Sequence, residues 1–211
     1  MDISLFKEAP VMGILRGIEI DIVEELIESV IASGLKTIEV AMNTPDAAGV
    51  IKKIAALAQG RIMLGAGTVL TMDNLNSALD SGATFIVLPV LIPEVVGHCA
   101  VNNIPVFPGA LTPQEVYSAW LAGATMVKVF PAKFFGPEYF KELKGPFPDI
   151  ELLACGGINV NTINDYFSCG ADAAAFGASI FKKELIQARQ FSLIKKEIQS
   201  LLGKLNQPHI R

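Results

Sequence analysis

Charged residues are scarce in this sequence of 211 residues, at 18%, whereas hydrophobic residues make up 51%. A chain so apolar is not intrinsically disordered, and it has enough hydrophobic residues for a large buried core. The formal net charge is −4, and the basic residues form no cluster. We therefore expect no nucleic-acid partner and no anionic membrane surface.

Histidine and cysteine are also rare. The two histidines, His98 and His209, are too few for a histidine-based metal centre, and only His98 could serve a Ser-His-Asp triad. We predict His98 on the surface of a helix and His209 in a C-terminal tail. Cys99, Cys155 and Cys169 are odd in number and unrelated in spacing, so we expect three small buried side chains and no disulfide framework.

Long hydrophobic runs are absent as well. The longest nearly uncharged run, residues 85–93, is far too short for a membrane span and contains prolines. Asp2 and Glu8 lie where a signal peptide would be basic and apolar. These features predict a cytoplasmic protein without a membrane partner.

A helix-ending residue recurs every 20–26 residues along the chain, as Gly34, Gly60, Gly82, Asn103, Gly123, Gly145 and Gly170. A short apolar segment follows each of them, and one more precedes the first. These segments predict eight strands, at residues 11–15, 37–41, 63–67, 85–88, 106–109, 126–130, 151–154 and 173–176. Their continuous apolar character is typical of parallel strands that are buried on both faces.

Eight such strand–helix units without a linker predict one α/β domain over residues 1–211, a (β/α)8 TIM barrel. A short helix at residues 3–9 is expected to cap the barrel. Residues 185–205 are expected to form the last helix and the start of the tail. A doubly wound open sheet is the alternative, because a local pattern cannot show that a sheet closes.

Two ionisable residues interrupt the apolar strands. Lys128 lies in the sixth predicted strand and Glu39 in the second, which are opposite one another in such a barrel. Burial favours the neutral amine, which is the form that attacks a ketone to give a Schiff base. A buried carboxyl group is a suitable acid–base partner for that amine. The alternatives are a lysine that reaches the rim and a plain buried ion pair.

Further polar and small residues follow other strands. Arg16 ends the first strand, where a guanidinium can bind a carboxylate or a phosphate. Thr68 ends the third strand, where its hydroxyl can bind substrate or cap a helix. The last two strands are followed by small residues, namely Gly156, Gly157, Gly177, Ala178 and Ser179. Their backbone N–H groups predict a phosphate site, although a Gly-Gly pair by itself also fits a tight turn.

The segments VMGILRGI, TIEVAMNTP, GAGTVL, VFPGALTP, VKVFPAKFFGP, ACGGI and FGASIF resemble the 2-keto-3-deoxy-6-phosphogluconate/galactonate aldolases, the KHG/KDPG aldolase family. The resemblance runs from residue 11 to residue 181 and keeps the strand order. It implies a class I aldolase that produces pyruvate and D-glyceraldehyde 3-phosphate without a metal or an organic cofactor. It also implies a homotrimer. Because some members cleave 4-hydroxy-2-oxoglutarate to pyruvate and glyoxylate, that activity is the alternative for this chain.

The resemblance also implies a role for individual residues. Lys128 matches the Schiff-base lysine, Glu39 the acid–base carboxylate, and Thr68 a hydroxyl near the pyruvyl group. The apolar walls and the phosphate cradle of the family match Pro89, Phe130, Gly156, Gly157 and Ser179.

Two positions depart from the gluconate-type pattern. Asn43 replaces the arginine that holds the pyruvate carboxylate in that branch, whereas Arg16 matches the arginine that does so in the galactonate branch. The resemblance is therefore closer to the galactonate branch. Cys155 precedes the paired glycines, where threonine marks the gluconate type and valine the galactonate type, so the preference at C4 stays open.

Two other classes of function fit a phosphate-binding barrel. An epimerase or a thiamine-phosphate-type synthase would not need a nucleophilic lysine on the sixth strand. A barrel that only binds a sugar phosphate would not need to bury both Lys128 and Glu39.

Overall fold

Nine short parallel strands lie at the centre of the structure, which is a computed structural model that describes residues 3–205. The strands are β1 (Val11–Leu15), β2 (Thr37–Ala41), β3 (Met63–Gly67), β4 (Ile86–Val87), β5 (Val106–Phe107), β6 (Gly109–Ala110), β7 (Val127–Val129), β8 (Leu152–Cys155) and β9 (Ala173–Phe176). They are hydrogen-bonded in the order β5-β4-β3-β2-β1-β9-β8-β7-β6.

Helices connect these strands and cover the outer face of the sheet. They are α1 (Ile3–Glu8), α2 (Val23–Ser33), α3 (Ala47–Ala58), α4 (Met72–Asp80), α5 (Pro93–Val101), α6 (Pro113–Leu121), α7 (Glu138–Lys144), α8 (Ile163–Ser168), α9 (Lys183–Gln187) and α10 (Phe191–Leu205). A short 3-10 helix spans Ala132–Phe134. Within residues 3–205, none of the helices is long and apolar enough to cross a bilayer.

One segment closes the sheet into a barrel. Strands β5 and β6 lie at the two ends of the strand order, and only Pro108 separates them in the chain. Strand β5 pairs with β4, whereas β6 pairs with β7. Because proline has no N–H, the ladder is interrupted at residue 108, although its carbonyl accepts from the Lys128 N–H at 2.9 Å. The fifth predicted strand is thus two strands that together complete an eight-membered circuit. The barrel prediction is confirmed, and the open sheet is wrong.

The core has an inner and an outer part because side chains alternate along each strand. Inside the barrel lie large apolar side chains, chiefly Met12, Phe85, Phe107, Met126 and Leu153. A larger cluster fills the space between the strands and the helices. With both faces buried, the strands are largely apolar, which is the pattern that the sequence shows, and Glu39 and Lys128 are the charged exceptions.

Helix α1 closes the end of the barrel where the strands begin. Its Phe6 is fully buried and belongs to the inner cluster, with its ring centroid 6.0 Å from that of Phe107. The predicted capping helix is therefore confirmed.

Three other expectations need correction or comment. The segment predicted as the last helix and the start of the tail, residues 185–205, instead holds the end of α9 and all of α10, which residues 188–190 separate, with Arg189 at a φ of 51°. Cys99 and Cys155 are buried as predicted, but Cys169 is only partly buried and its thiol lies 3.6 Å from a Glu138 carboxylate oxygen. His98 is exposed on α5 as predicted, and the tail with His209 lies outside the described residues.

Candidate active site

Glu39 and Lys128 point into the barrel from opposite sides. Each lies between outward-facing apolar residues of its strand, and β2 and β7 are four positions apart around the eight-membered circuit. Only 1% of Glu39 and 6% of Lys128 is exposed. The expectation that both residues face the interior is met by this geometry.

The Glu39 carboxyl group has little compensation for its burial. Desolvation raises its pKa, and the nearby cations Lys128 and Arg16 oppose this shift with a smaller effect. Its Oε2 has no hydrogen-bond partner among residues 3–205. Its Oε1 lies against Gly67 of β3, where any Cβ would clash with it. Gly67 therefore leaves the space that this carboxyl group occupies. Because its pKa is raised, the carboxyl group is suited to hold a proton.

Lys128 lies beside an aromatic ring and a thiol. Its Nζ is 5.3 Å from the centroid of the Phe130 ring, which is partly exposed. Burial raises the pKa of the Cys155 thiol, and the adjacent Lys128 cation acts in the opposite direction. Cys155 is thus a neutral small side chain next to the amine.

Arg16 and Thr68 meet at the mouth of the barrel. The Arg16 Nη2 donates to Thr68 Oγ1 at 3.3 Å. Thr68 has a φ of 56°, a conformation that a β-branched residue rarely adopts, and strain of this kind is concentrated at functional sites. The loop after Arg16 is fixed by Gly17, whose N–H donates to the buried Thr44 Oγ1 at 3.0 Å.

The loops after β8 and β9 expose backbone donors. Gly156 and Gly157 have φ values of 99° and 89°, a backbone conformation that a side chain would strain, and Gly157 is exposed. The N–H groups of Gly157, Ala178 and Ser179 find no acceptor within the described part of the chain. This arrangement is able to bind an anion.

Ser179 contributes to this region through its position more than through its hydroxyl. Its Oγ donates to the Ile158 carbonyl at 2.5 Å and so joins the loop after β9 to the loop after β8. Because its proton is used in this hydrogen bond, the Ser179 hydroxyl holds together the two loops whose N–H groups are able to bind an anion.

A cavity of about 1300 Å³ lies over this end of the barrel. Its lining includes eight of the residues that the sequence singled out, namely Arg16, Phe130, Cys155, Gly156, Gly157, Gly177, Ala178 and Ser179. The other four, Glu39, Thr68, Pro89 and Lys128, are not among its lining residues. Lys128 and Thr68 nonetheless contact lining residues, through Phe130 and Arg16.

Pro89 lies at the end of β4 and is half-buried. Its carbonyl packs on Gly109 of β6, where a Cβ would not fit. Asn43 is exposed and does not line the cavity, whereas Arg16 does.

Sequence reasoning missed the charged rim of the cavity, formed by Glu19, Asp21, Lys133, Lys183 and Arg189. Arg189 binds Asp21 at 2.6 Å and Glu25 of α2 at 2.8 Å, which ties the α9–α10 junction to the region after β1. Among these residues, only Lys133 could have been suspected from the sequence, because it follows the strand that holds Lys128.

The fold and the site together define a (β/α)8-barrel enzyme with an amine and a carboxyl group near the carboxyl ends of the strands. Within residues 3–205, no group of three or more His, Cys, Asp or Glu side chains is arranged to hold a metal ion.

Comparison with known proteins supplies the family. The model of the KDPG and KHG aldolase family matches residues 3–197. A probable 2-dehydro-3-deoxy-6-phosphogalactonate aldolase of Rhizobium meliloti is 32% identical over 176 residues, covering 83% of each chain. The chain belongs to this aldolase family, so the protein is a carbon–carbon lyase.

Solved structures agree with this assignment. One described as native KDPGal has a TM-score of 0.86 at 27% identity, over 93% of this chain and 94% of the other. The KDPG aldolase of Legionella pneumophila, with pyruvate captured as a covalent carbinolamine, has a TM-score of 0.85 at 26% identity, over 91% and 93% of the two chains.

Proposed function

We propose that this protein is a class I aldolase that cleaves a 2-keto-3-deoxy-6-phospho sugar acid to pyruvate and D-glyceraldehyde 3-phosphate through a Schiff base on Lys128. The observation that carries the proposal is the burial of Lys128 opposite Glu39, next to a cavity with unpaired backbone N–H groups. The carbinolamine captured in the Legionella pneumophila relative supports the same covalent chemistry.

The reaction begins when the Lys128 Nζ lone pair attacks the C2 carbonyl and forms a carbinolamine. Glu39, whose pKa burial raises, donates a proton to the departing hydroxyl, and loss of water gives the iminium ion. The resulting Glu39 carboxylate then accepts the C4 hydroxyl proton. The C3–C4 bond breaks, its electron pair moves toward the iminium nitrogen, and the aldehyde leaves an enamine.

The second half returns the enzyme to its starting state. Glu39 gives its proton to C3 of the enamine, which regenerates an iminium ion. Water then adds to C2 of this ion and gives a proton back to the Glu39 carboxylate, and pyruvate departs as the Lys128 amine is released. A second carboxylate is not needed in this cycle, because one group alternates between acid and base.

The cavity supports an assignment of the two ends of the substrate. Arg16, which lines the cavity and touches Thr68, would bind the C1 carboxylate, while the N–H groups of Gly157, Ala178 and Ser179 would bind the phosphate. Asn43 lies outside the lining, which supports the galactonate-type arrangement. The homotrimer and the cytoplasmic location implied by the resemblance stay predictions.

Borohydride reduction in the presence of pyruvate tests the proposal. We expect one reduced pyruvyl adduct per chain, located on Lys128 by peptide mass spectrometry. Lys128→Met, which keeps an unbranched side chain, is expected to give no adduct. Lys182→Met removes a lysine that pairs with Glu197 outside the cavity, and it should trap pyruvate like the unmodified protein. A folded protein that gives no adduct, or one labelled elsewhere, would disprove the Schiff-base assignment.

A further inference from the structure

The cavity is basic although the protein is acidic overall. The net charge of the chain is −4, yet Arg16, Lys133, Lys183 and Arg189 line the cavity, against two acidic side chains within the described residues. A cavity with this bias attracts anions.

The four cations differ in what they already bind. Arg189 is paired with Asp21 and Glu25, and Arg16 donates to Thr68. Lys133 and Lys183 have no acidic partner within residues 3–205. These two charges are therefore available to a ligand.

Lys133 is the better placed of the two. An added Cβ on Gly157 would lie 2.6 Å from the Lys133 Cβ and 3.6 Å from its Cγ and Cδ, so the stem of this lysine runs directly alongside Gly157. Its Nζ rests 5.2 Å from the centroid of Phe134, a ring that is 73% exposed. A cation–π contact in water is weaker than a charge-assisted hydrogen bond to a phosphate oxygen. The ammonium group can leave the ring for an anion seated on Gly157.

We propose that Lys133 binds the phosphate of the substrate and sets the preference of this enzyme for a dianionic, phosphorylated aldehyde component. This inference rests on the proposed function and adds a side-chain cation to a site otherwise made of backbone N–H groups. Because Lys133 follows β7, the strand that carries Lys128, the same segment would hold both the reacting carbon and the phosphate.

The test compares two acceptors in the condensation with pyruvate, D-glyceraldehyde 3-phosphate and unphosphorylated D-glyceraldehyde. For Lys133→Met we expect kcat/KM to fall about 10-fold with the phosphorylated acceptor, the size of one charge-assisted hydrogen bond at an exposed site. With D-glyceraldehyde we expect kcat/KM to stay within about twofold, since a single lost contact acts only where that contact is made.

Two further variants are controls. Lys133→Arg keeps the charge and should retain most of the preference for the phosphorylated acceptor. Lys182→Met removes one positive charge from a neighbouring surface that does not line the cavity, and both rates should be unchanged.

Proton exchange at the methyl group of pyruvate separates this inference from the proposed function. Exchange needs Lys128 and Glu39 but no phosphate, so Lys133→Met should exchange normally. Equal losses with the two acceptors, or no loss with either, would disprove the role of Lys133. Failure of the unmodified protein to exchange would disprove the aldolase mechanism itself.

Discussion

At the scale of single residues, the central feature is a carboxyl group kept where water does not reach it. Glu39 is almost fully buried, one of its oxygens has no partner in the described chain, and desolvation is the largest influence on its pKa. A buried carboxyl group of this kind indicates a site where its proton is used, because residues that are buried only for packing are apolar.

The raised pKa of Glu39 makes stability depend on pH. The folded protein keeps the proton to a higher pH than the unfolded chain does, so this contribution is present in full below the ordinary glutamate pKa of 4.5. It is lost as the pH rises through the higher pKa of the folded state. Glu39→Gln, which mimics the protonated acid, should therefore raise the melting temperature at pH 7. This gain should shrink toward zero near pH 4.

Melting curves of the two proteins between pH 4 and pH 8 measure this difference. Glu24→Gln, on the exposed face of α2, is the control and should show no such trend. A Glu39→Gln gain that is independent of pH would mean that the charge of Glu39 is not what costs stability.

The sequence is informative about residues that break a pattern and uninformative about those that follow one. Glu39 and Lys128 could be found because ionisable side chains are rare inside apolar strands. Arg189 could not, because exposed charges are common and only the folded loops show which of them face the cavity. For Lys133 the one signal is its place after the strand that holds Lys128. The strain at Thr68 likewise depends on a backbone angle that no local signal gives.

At the scale of elements, the strands were predictable and their exact partners were not. Continuous apolar runs and helix-ending glycines locate the strands, but the two-sided pairing around Pro108 depends on which neighbours the closed sheet supplies. The break between α9 and α10 has a similar origin. Arg189 bridges to Asp21 and Glu25, more than 160 residues earlier in the chain, and periodicity carries no trace of such a contact.

The junction between β4 and β6 depends on the absence of a side chain at residue 109. A Cβ there would collide with the carbonyl of Pro89, which is backbone and cannot rotate away. We expect Gly109→Ala to lower the free energy of unfolding by about 1–3 kcal/mol, the usual cost of overpacking a core. Urea unfolding measures this.

Gly97→Ala is the matched control for Gly109→Ala. Gly97 lies inside helix α5 with open space where a Cβ would be added, so Gly97→Ala should stabilise the protein by about 0.5–1 kcal/mol. If the two alanine variants were equally stable, the close approach at Gly109 would not matter.

At the scale of the whole molecule, the barrel is filled from one end and open at the other. Helix α1 seats Phe6 in the inner cluster, in contact with Phe107, so the first helix is part of the core. We expect Phe6→Ala to cost about 3–5 kcal/mol, because the barrel interior cannot collapse around the lost ring.

Leu5 is the neighbouring control, since about half of it is exposed. Leu5→Ala should change the free energy of unfolding by less than about 0.5 kcal/mol. Similar losses for the two variants would indicate that α1 contributes through its helix as a whole, and not through a side chain inserted into the barrel.

A barrel that is closed at one end binds and releases its two reactants in a fixed order. Phe6, Met12 and Phe107 are fully buried in the inner cluster, whereas Lys128 contacts Phe130, which lines the open cavity. In the proposed reaction, pyruvate is the fragment held on Lys128, and the phosphorylated aldehyde occupies the way out. We therefore expect an ordered mechanism, in which pyruvate binds before the aldehyde during synthesis and leaves after it during cleavage.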